Sequence, residues 1–361
     1  MYIDDHVHCR DFEESHKETI AHALRVAEDS GLDAIFDKGN LLKHPATTRQ
    51  AIVERLNKAH QAKSPVFFGT YVMLTAKKDQ IREAVELTQE FAPTKARNSG
   101  VVGLAMFAGQ SVGDLSISKF EEQESVYSQL TNLGYNGVLL VHCEKDSLFR
   151  PELFNPNIPA TWNLARPEKM ETESVADQLK HIEITRYMGH LHFTHISSPD
   201  SIDLIKNAGG RAKRYSIGVT PHHLLLNTSF MQTLEGIVLK VNPALRTPET
   251  QRKLLNYTID GKADVLESDH ASHTLPEKTG QILDAKGNPI YMSGIPDLAW
   301  PDFVPFLLQA GVSQEILNKM TWDNQINIFK LQCLELQRTN RQIKSHANEY
   351  AFNPWEKYKS A

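Results

Sequence analysis

The sequence predicts an α/β fold: a (β/α)8 TIM barrel over residues 1–336 as one domain, with a tail at 337–361 packing on it. Three observations predict it. Eight short apolar, β-branched runs recur along the chain. Longer amphipathic stretches separate them, the alternation that builds a parallel sheet. The 361 residues suit a barrel closed by eight such units. The runner-up is an open doubly wound sheet, which usually carries a glycine-rich phosphate turn after its first strand. Here the first strand runs into HVHCR, without glycine.

The first strand is read at 2–5 (YIDD), and a helix follows from Ser15, a fit N-cap, to Gly31 as its stop. DAIFD at 33–37 is the second strand, with a helix near 46–62. PVFFGTYV at 65–72 is the third, with a helix near 78–91. GVVGLAMF at 100–107 is the fourth, with a helix near 119–133. GVLLVH at 137–142 is the fifth; an irregular stretch at 143–171 precedes its helix near 172–188. HLHFTH at 190–195 is the sixth, with a helix near 198–208. YSIGVT at 215–220 is the seventh, with a helix near 248–259. ADVLES at 263–268 is the eighth; after a second irregular stretch at 270–298 come helices near 300–311 and 313–330. Both irregular stretches follow strands, so in a barrel they lie at the C-terminal face, where active sites form.

Composition narrows the function. Against 39 Lys and Arg stand 44 Asp and Glu, a net charge of −5, which argues against a nucleic-acid or membrane-binding surface. Three cysteines, Cys9, Cys143 and Cys333, exclude a disulfide framework and point to a reducing, cytoplasmic setting. MYIDDHVHCR lacks the basic and apolar segments of a signal peptide. No apolar run approaches the roughly 18 residues of a membrane span. Sixteen histidines raise the question of metal.

An isolated H-x-H is more often a hydrogen-bonded pair than a ligand pair. His6 and His8 gain weight from what ends the other strands. Alternation puts both imidazoles on one side of the first strand. His142 ends the fifth strand, His195 the sixth, and Asp269 follows the eighth. Four strands thus deliver His or Asp to one rim, a metal-ligating set. Arg10, Asn40, Asn242 and His273 fall at the same end. Arg10, Asn40 and His273 together offer the donors of a carboxylate clamp. His222 and His223 are expected to pack and hydrogen-bond in their loop. Cys9 and Cys143 neighbour ligand candidates but face the other way.

The set resembles the dihydroorotase family of the amidohydrolase superfamily. HVHCR at 6–10, VHCEKD at 141–146, THISS at 194–198, VTPHHLLL at 219–226, KVNPALR at 240–246 and SDHASHT at 268–274 carry the resemblance, in the family's order. It implies a metal-dependent hydrolase barrel that opens cyclic amides with one or two zinc ions. His6, His8 and Asp269 would hold one metal, His142 and His195 the second. Asp269 would double as proton shuttle, and Arg10, Asn40 and His273 would hold a substrate carboxylate. The flanking β-sandwich of many relatives is expected to be absent. Three positions depart from the pattern. Ala105 stands where a carboxylated lysine often bridges two metals, Gly218 where an acidic residue is common, and KGN at 38–40 where Met-Pro-Asn is common.

A metal lowers the pKa of its water toward about 7 and polarises a carbonyl. Three protein ligands and one water complete a catalytic zinc site, so the chemistry survives with one ion. One zinc is expected, and the second is left open. The expected reaction interconverts dihydroorotate and N-carbamoyl-L-aspartate in pyrimidine synthesis, on a small carboxylate substrate. A related amidohydrolase acting on another cyclic amide stays open. So does a non-catalytic homologue serving as structural partner, for example of aspartate transcarbamoylase. Barrels of this type often form dimers, which leaves a homodimer open without picking its surface.

Overall fold

In the computed structural model, which describes residues 2–208, 214–334, 336 and 343–359, eight strands form one sheet in chain order. They are β1 (Tyr2–Val7), β2 (Leu32–Asp37), β3 (Phe67–Met73), β4 (Ser99–Ala108), β5 (Val138–Cys143), β6 (His190–Phe193), β7 (Tyr215–Val219) and β8 (Val265–Leu266). Every neighbouring pair is parallel. The last gap is spanned by a parallel bridge from Val7 to His270, whose carbonyl accepts from His8 N at 2.7 Å. The sheet therefore closes on itself as a (β/α)8 barrel.

The strands are readable in sequence because helices cover one face and the barrel interior the other. Both faces must then be apolar. Phe67–Met73 is buried at every residue, as is Leu32–Asp37.

The helices between strands follow caps. α1 (Ile20–Asp29) starts after Thr19, whose side chain accepts from His22 N. This corrects the expected start at Ser15: residues 11–17 instead form turns, tied by an Asp11–Glu14 bridge. α2 (Arg49–Ala62) is capped by Thr48, and α3 (Lys78–Glu90) and α4 (Phe120–Asn132) follow β3 and β4. The stretch after β5 holds 3-10 turns and a short α5 (Trp162–Ala165) before α6 (Glu168–Thr185). α7 (Pro199–Asn207), α8 (Pro221–Leu225) and α9 (Pro248–Ile259) follow, each with proline in its first turn, where no amide hydrogen is needed.

After β8, α10 (Leu275–Lys278) opens with a capping box between Thr274 and Glu277. The expected helix near 313–330 is split: α-helical turns at Gln314–Asn318 and Asn324–Ile328 flank a π-helical turn at Lys319–Asp323. Residues 337–342 and 360–361 of the tail lie outside the described residues. Of the rest, Trp355 is buried beside Phe303, and the Tyr350 hydroxyl donates to Glu18 Oε1 at 2.9 Å. Among the described residues no helix is long and apolar enough to cross a membrane.

Candidate metal centre and substrate cleft

His6, His8 and Asp269 meet at the C-terminal rim, their ligand atoms all within 4.8 Å of one another. Their hydrogen bonds fix what they offer. His6 Nδ1 bonds Thr194 Oγ1, which itself donates to Glu267 Oε1 at 2.7 Å. His6 is therefore the donor in the first of these bonds. His8 Nδ1 donates to the Lys38 carbonyl at 2.9 Å. With both Nδ1 hydrogens engaged, each neutral imidazole presents a lone pair at Nε2. His6 Nε2 lies 3.3 Å and His8 Nε2 3.2 Å from the same oxygen, Asp269 Oδ1. Three acceptors face one another, and His6 Nε2 has no hydrogen-bond partner. Burial, with the Lys38 ammonium beside it, holds the His6 pKa down to about 4, so protonation of His6 does not relieve its contact with Asp269. A divalent cation does, and the donor set of two imidazoles and a carboxylate fits one.

The backbone is bent to achieve this. His195 and Asp269 have φ of 40° and 50°, a left-handed conformation that costs about 1–2 kcal/mol outside glycine. Glu267 Oε1 accepts from the His195 amide. On Asp269's side, Ser268 Oγ accepts from His270 N and Asp4 Oδ1 from Ser268 N, both at 3.0 Å.

His142 and His195 form a second pair. His142 Nε2 donates to Glu144 Oε2 at 3.1 Å, and its Nδ1 faces His195 Nε2 at 2.8 Å. Burial lowers both imidazole pKa values. Arg166 clasps Glu144 with contacts from 2.7 to 3.2 Å; despite burial, which opposes ionisation, it holds that carboxyl far below its usual range. One proton between the rings satisfies this pair, unlike the first triad.

Between the two sets lies a cleft lined by His8, Arg10, Lys38, Asn40, Asn242 and Asp269, among others. Arg10 Nε donates to the Ser272 carbonyl at 3.3 Å and its NH2 to His273 Nε2 at 3.1 Å. His273 is buried behind Arg10 and does not line the cleft. Its Nε2 faces both the guanidinium and the Ser293 carbonyl, each at 3.1 Å. Asn242 Oδ1 accepts from Trp162 Nε1 at 3.1 Å. His222 bonds Asp297 at 2.8 Å, and His223 bonds the Pro243 carbonyl at 3.0 Å. Cys9 and Cys143 are buried free thiols, pushed up by desolvation.

The sequence did not single out Lys38, Glu267 or Thr194. Lys38 is wholly buried, and its Nζ, which has no hydrogen-bond partner, lies 3.9 Å from the centre of the Phe107 ring. Burial brings its pKa down to about 8, while Asp269 and Glu267 oppose the fall. Glu267, with Asp5 and His192, forms a second potential ligand group one step further back along the strands. Gly218 makes room for it, since a Cβ there would meet Glu267 Oε1 at 2.4 Å. The only sequence signal for either was a departure from the family pattern, at KGN and at Gly218.

No family model matches the chain. Curated dihydroorotases are similar to it. That of Pediococcus pentosaceus is 27% identical over 285 residues, covering 78% of this chain and 62% of the relative. That of Methanosarcina mazei is 29% identical over 323 residues, covering 87% and 65%. The chain thus spans just under two thirds of the length of the curated relatives it matches. Among solved structures, an L-hydantoinase (dihydropyrimidinase) from Arthrobacter aurescens superposes with a TM-score of 0.77 at 20% identity, covering 94% of this chain and 73% of that one. A D-hydantoinase (dihydropyrimidinase) from Thermus sp. gives 0.71 at 19%, covering 91% and 70%. These structures share the barrel fold.

Proposed function

We propose that this barrel is a dihydroorotase-like, metal-dependent cyclic amide hydrolase that interconverts dihydroorotate and N-carbamoyl-L-aspartate. The observation that carries the reading is the triad of facing acceptors, His6 Nε2, His8 Nε2 and Asp269 Oδ1, beside a cleft holding an oriented guanidinium. Similarity to the curated dihydroorotases supports the substrate class.

His6, His8 and Asp269 would hold the ion, with zinc the expected metal. When bound, the metal activates water and polarises the amide carbonyl. The chain's own groups do the rest. Arg10 and Asn40 fix the substrate carboxylate at the cleft wall, with His273 holding Arg10 in place. Asp269 accepts the proton of the attacking water and returns it to the ring nitrogen as the carbon–nitrogen bond breaks. The products are a ureido nitrogen and a free carboxylate. In reverse the same group takes the ureido proton as the ring closes. His142 and His195, backed by Glu144 and Arg166, form the facing wall. Arg10 favours this reading over a hydantoin-type substrate, which lacks a carboxylate to meet it. The free buried thiols suit a reducing, cytoplasmic setting.

The test is hydrolysis of dihydroorotate by the zinc-loaded protein, beside dihydrouracil as the same ring without the carboxylate. Turnover of the first at a kcat/KM at least tenfold above the second is expected. Equal rates, or turnover of neither, would sink the assignment.

A further inference from the structure

Among the described residues, Lys38 is the buried cation lining the cleft that has no role in the scheme above. It stands at the end of β2, yet its Nζ lies over the Phe107 ring of β4, two residues beyond Ala105 on that strand. Ala105, fully buried, carries only a methyl group. The ammonium has no hydrogen-bond partner and lines the same cleft as His142, His195 and Asp269. An unpaired buried ammonium is costly. It persists where an anion completes it, and the open side of this one faces the cleft. Asp269 and Glu267 lie within its field but do not touch it.

We propose that Lys38 supplies the second positive charge of the centre. Its ammonium takes the place of a second divalent ion and donates to the oxygen that gains charge as the ring amide is attacked. Two features agree with this. With the Lys38 ammonium acting on both imidazoles, His142 and His195 close on one another at 2.8 Å rather than on a second ion. A fixed ammonium in a low-dielectric cleft also repels a second dication. The catalytic half of this inference rests on the cyclic-amide reading; the metal half does not.

The experiment uses the whole protein and three forms: wild type, Lys38→Met, which keeps length but loses charge, and Lys38→Arg, which keeps charge. Zinc binding is measured by calorimetric titration and by elemental analysis after gel filtration. The expected result is one zinc per chain for wild type and Lys38→Arg, and two for Lys38→Met. In the same samples, kcat on dihydroorotate should fall about 100-fold or more in Lys38→Met. KM should change little, and Lys38→Arg should retain part of the rate. Melting curves identify a misfolded Lys38→Met, in which case Lys38→Gln replaces it.

Two zinc ions in wild type, falling to one in Lys38→Met, would overturn the proposal. So would a mass gain on Lys38 in bicarbonate buffer, because the amine would then carry an anionic carbamate. A Lys38→Met protein that still binds a single zinc would show that the ammonium excludes nothing. If wild type turns over no cyclic amide but the zinc count moves from one to two, the proposed function fails while the metal half stands.

Discussion

Arg10→Ala tests the carboxylate clamp, and the structure sets the size of the effect. A guanidinium has five N–H donors. Two are engaged internally, on the Ser272 carbonyl and on His273 Nε2. Glu14 Oε2 approaches NH1 only to 3.7 Å, beyond a hydrogen bond. Three donors are left for a ligand, enough for the paired contact a carboxylate prefers. Each charge-assisted bond is worth about 1.5–3 kcal/mol, and Glu14 offsets part of the charge. A net loss of about 3–4 kcal/mol on truncation converts to a fall of roughly 10²–10³-fold in kcat/KM for dihydroorotate. Most of it should enter through KM. Dihydrouracil supplies the second arm: Arg10→Ala should leave its kcat/KM within about threefold, because no charged bond is lost. Equal losses on the two substrates would mean that Arg10 shapes the rim rather than binding a carboxylate. No loss on dihydroorotate would refute the clamp outright. A melting curve guards the result, since Arg10 is largely buried.

Asp269→Asn should keep the fold but weaken zinc binding, and lower kcat by about 10²–10⁴-fold through loss of the acid–base group. A zinc-saturated variant with the wild-type rate would exclude that role. Gly218→Ala should cost about 1–3 kcal/mol, because the new Cβ meets a carboxylate pinned by His192, Thr194 and the His195 amide. Denaturant melts measure this cost, and a zinc titration should show weaker binding through the Thr194–His6 link. Glu18 makes stability depend on acid. His270 and His22 hold its pKa at about 2 against the opposing pull of burial, compared with about 4.3 in an unfolded chain. A folded value below the unfolded one stabilises above about pH 4.3 and is lost as pH falls toward 2, by up to about 3 kcal/mol. Glu18→Gln should therefore be less stable at neutral pH and lose less between pH 5 and 2; parallel melting curves for the two proteins would contradict this.

The strands were legible because barrel strands are apolar on both faces, and their ends carried the site because rim residues escape that demand. His6, His8, His142, His195 and Asp269 could be picked out one strand at a time for this reason. What needed the fold was every contact between strands. Nothing local separates Thr194, which relays His6 to Glu267, from an ordinary strand threonine. Glu144 and Arg166 lie 22 residues apart and become a pair only when the stretch after β5 folds back. His273 looked like a member of the clamp by rim position, yet its ring sits behind Arg10. The start of α1 slipped from Ser15 to Thr19 because two serviceable caps stood close together, and only Thr19 meets the amide of His22.

The departures from the pattern that the sequence resembles have a common physical form. An acidic residue expected at position 218 is missing, but Gly218 pairs in register with Val265 on β8, and Glu267 follows two residues later. The carboxylate that β7 lacks arrives from β8 and fills the space above the glycine. Likewise Ala105 leaves β4 without an amine, while Lys38 brings one from β2 to the ring of Phe107 on the same strand. In both cases a charge lies at the mouth of one strand although its residue belongs to another. A strand-by-strand reading scores each as a loss. The electrostatics of the cleft depend on where the charged atom ends up, because interaction energy falls with distance and burial strengthens it. Position in the chain does not enter. At position 218 the small residue leaves space that Glu267 fills, and at the end of β4 an amine from outside that strand lies over Phe107; such counterparts are found only by asking which side chains reach a position, whatever strand they come from.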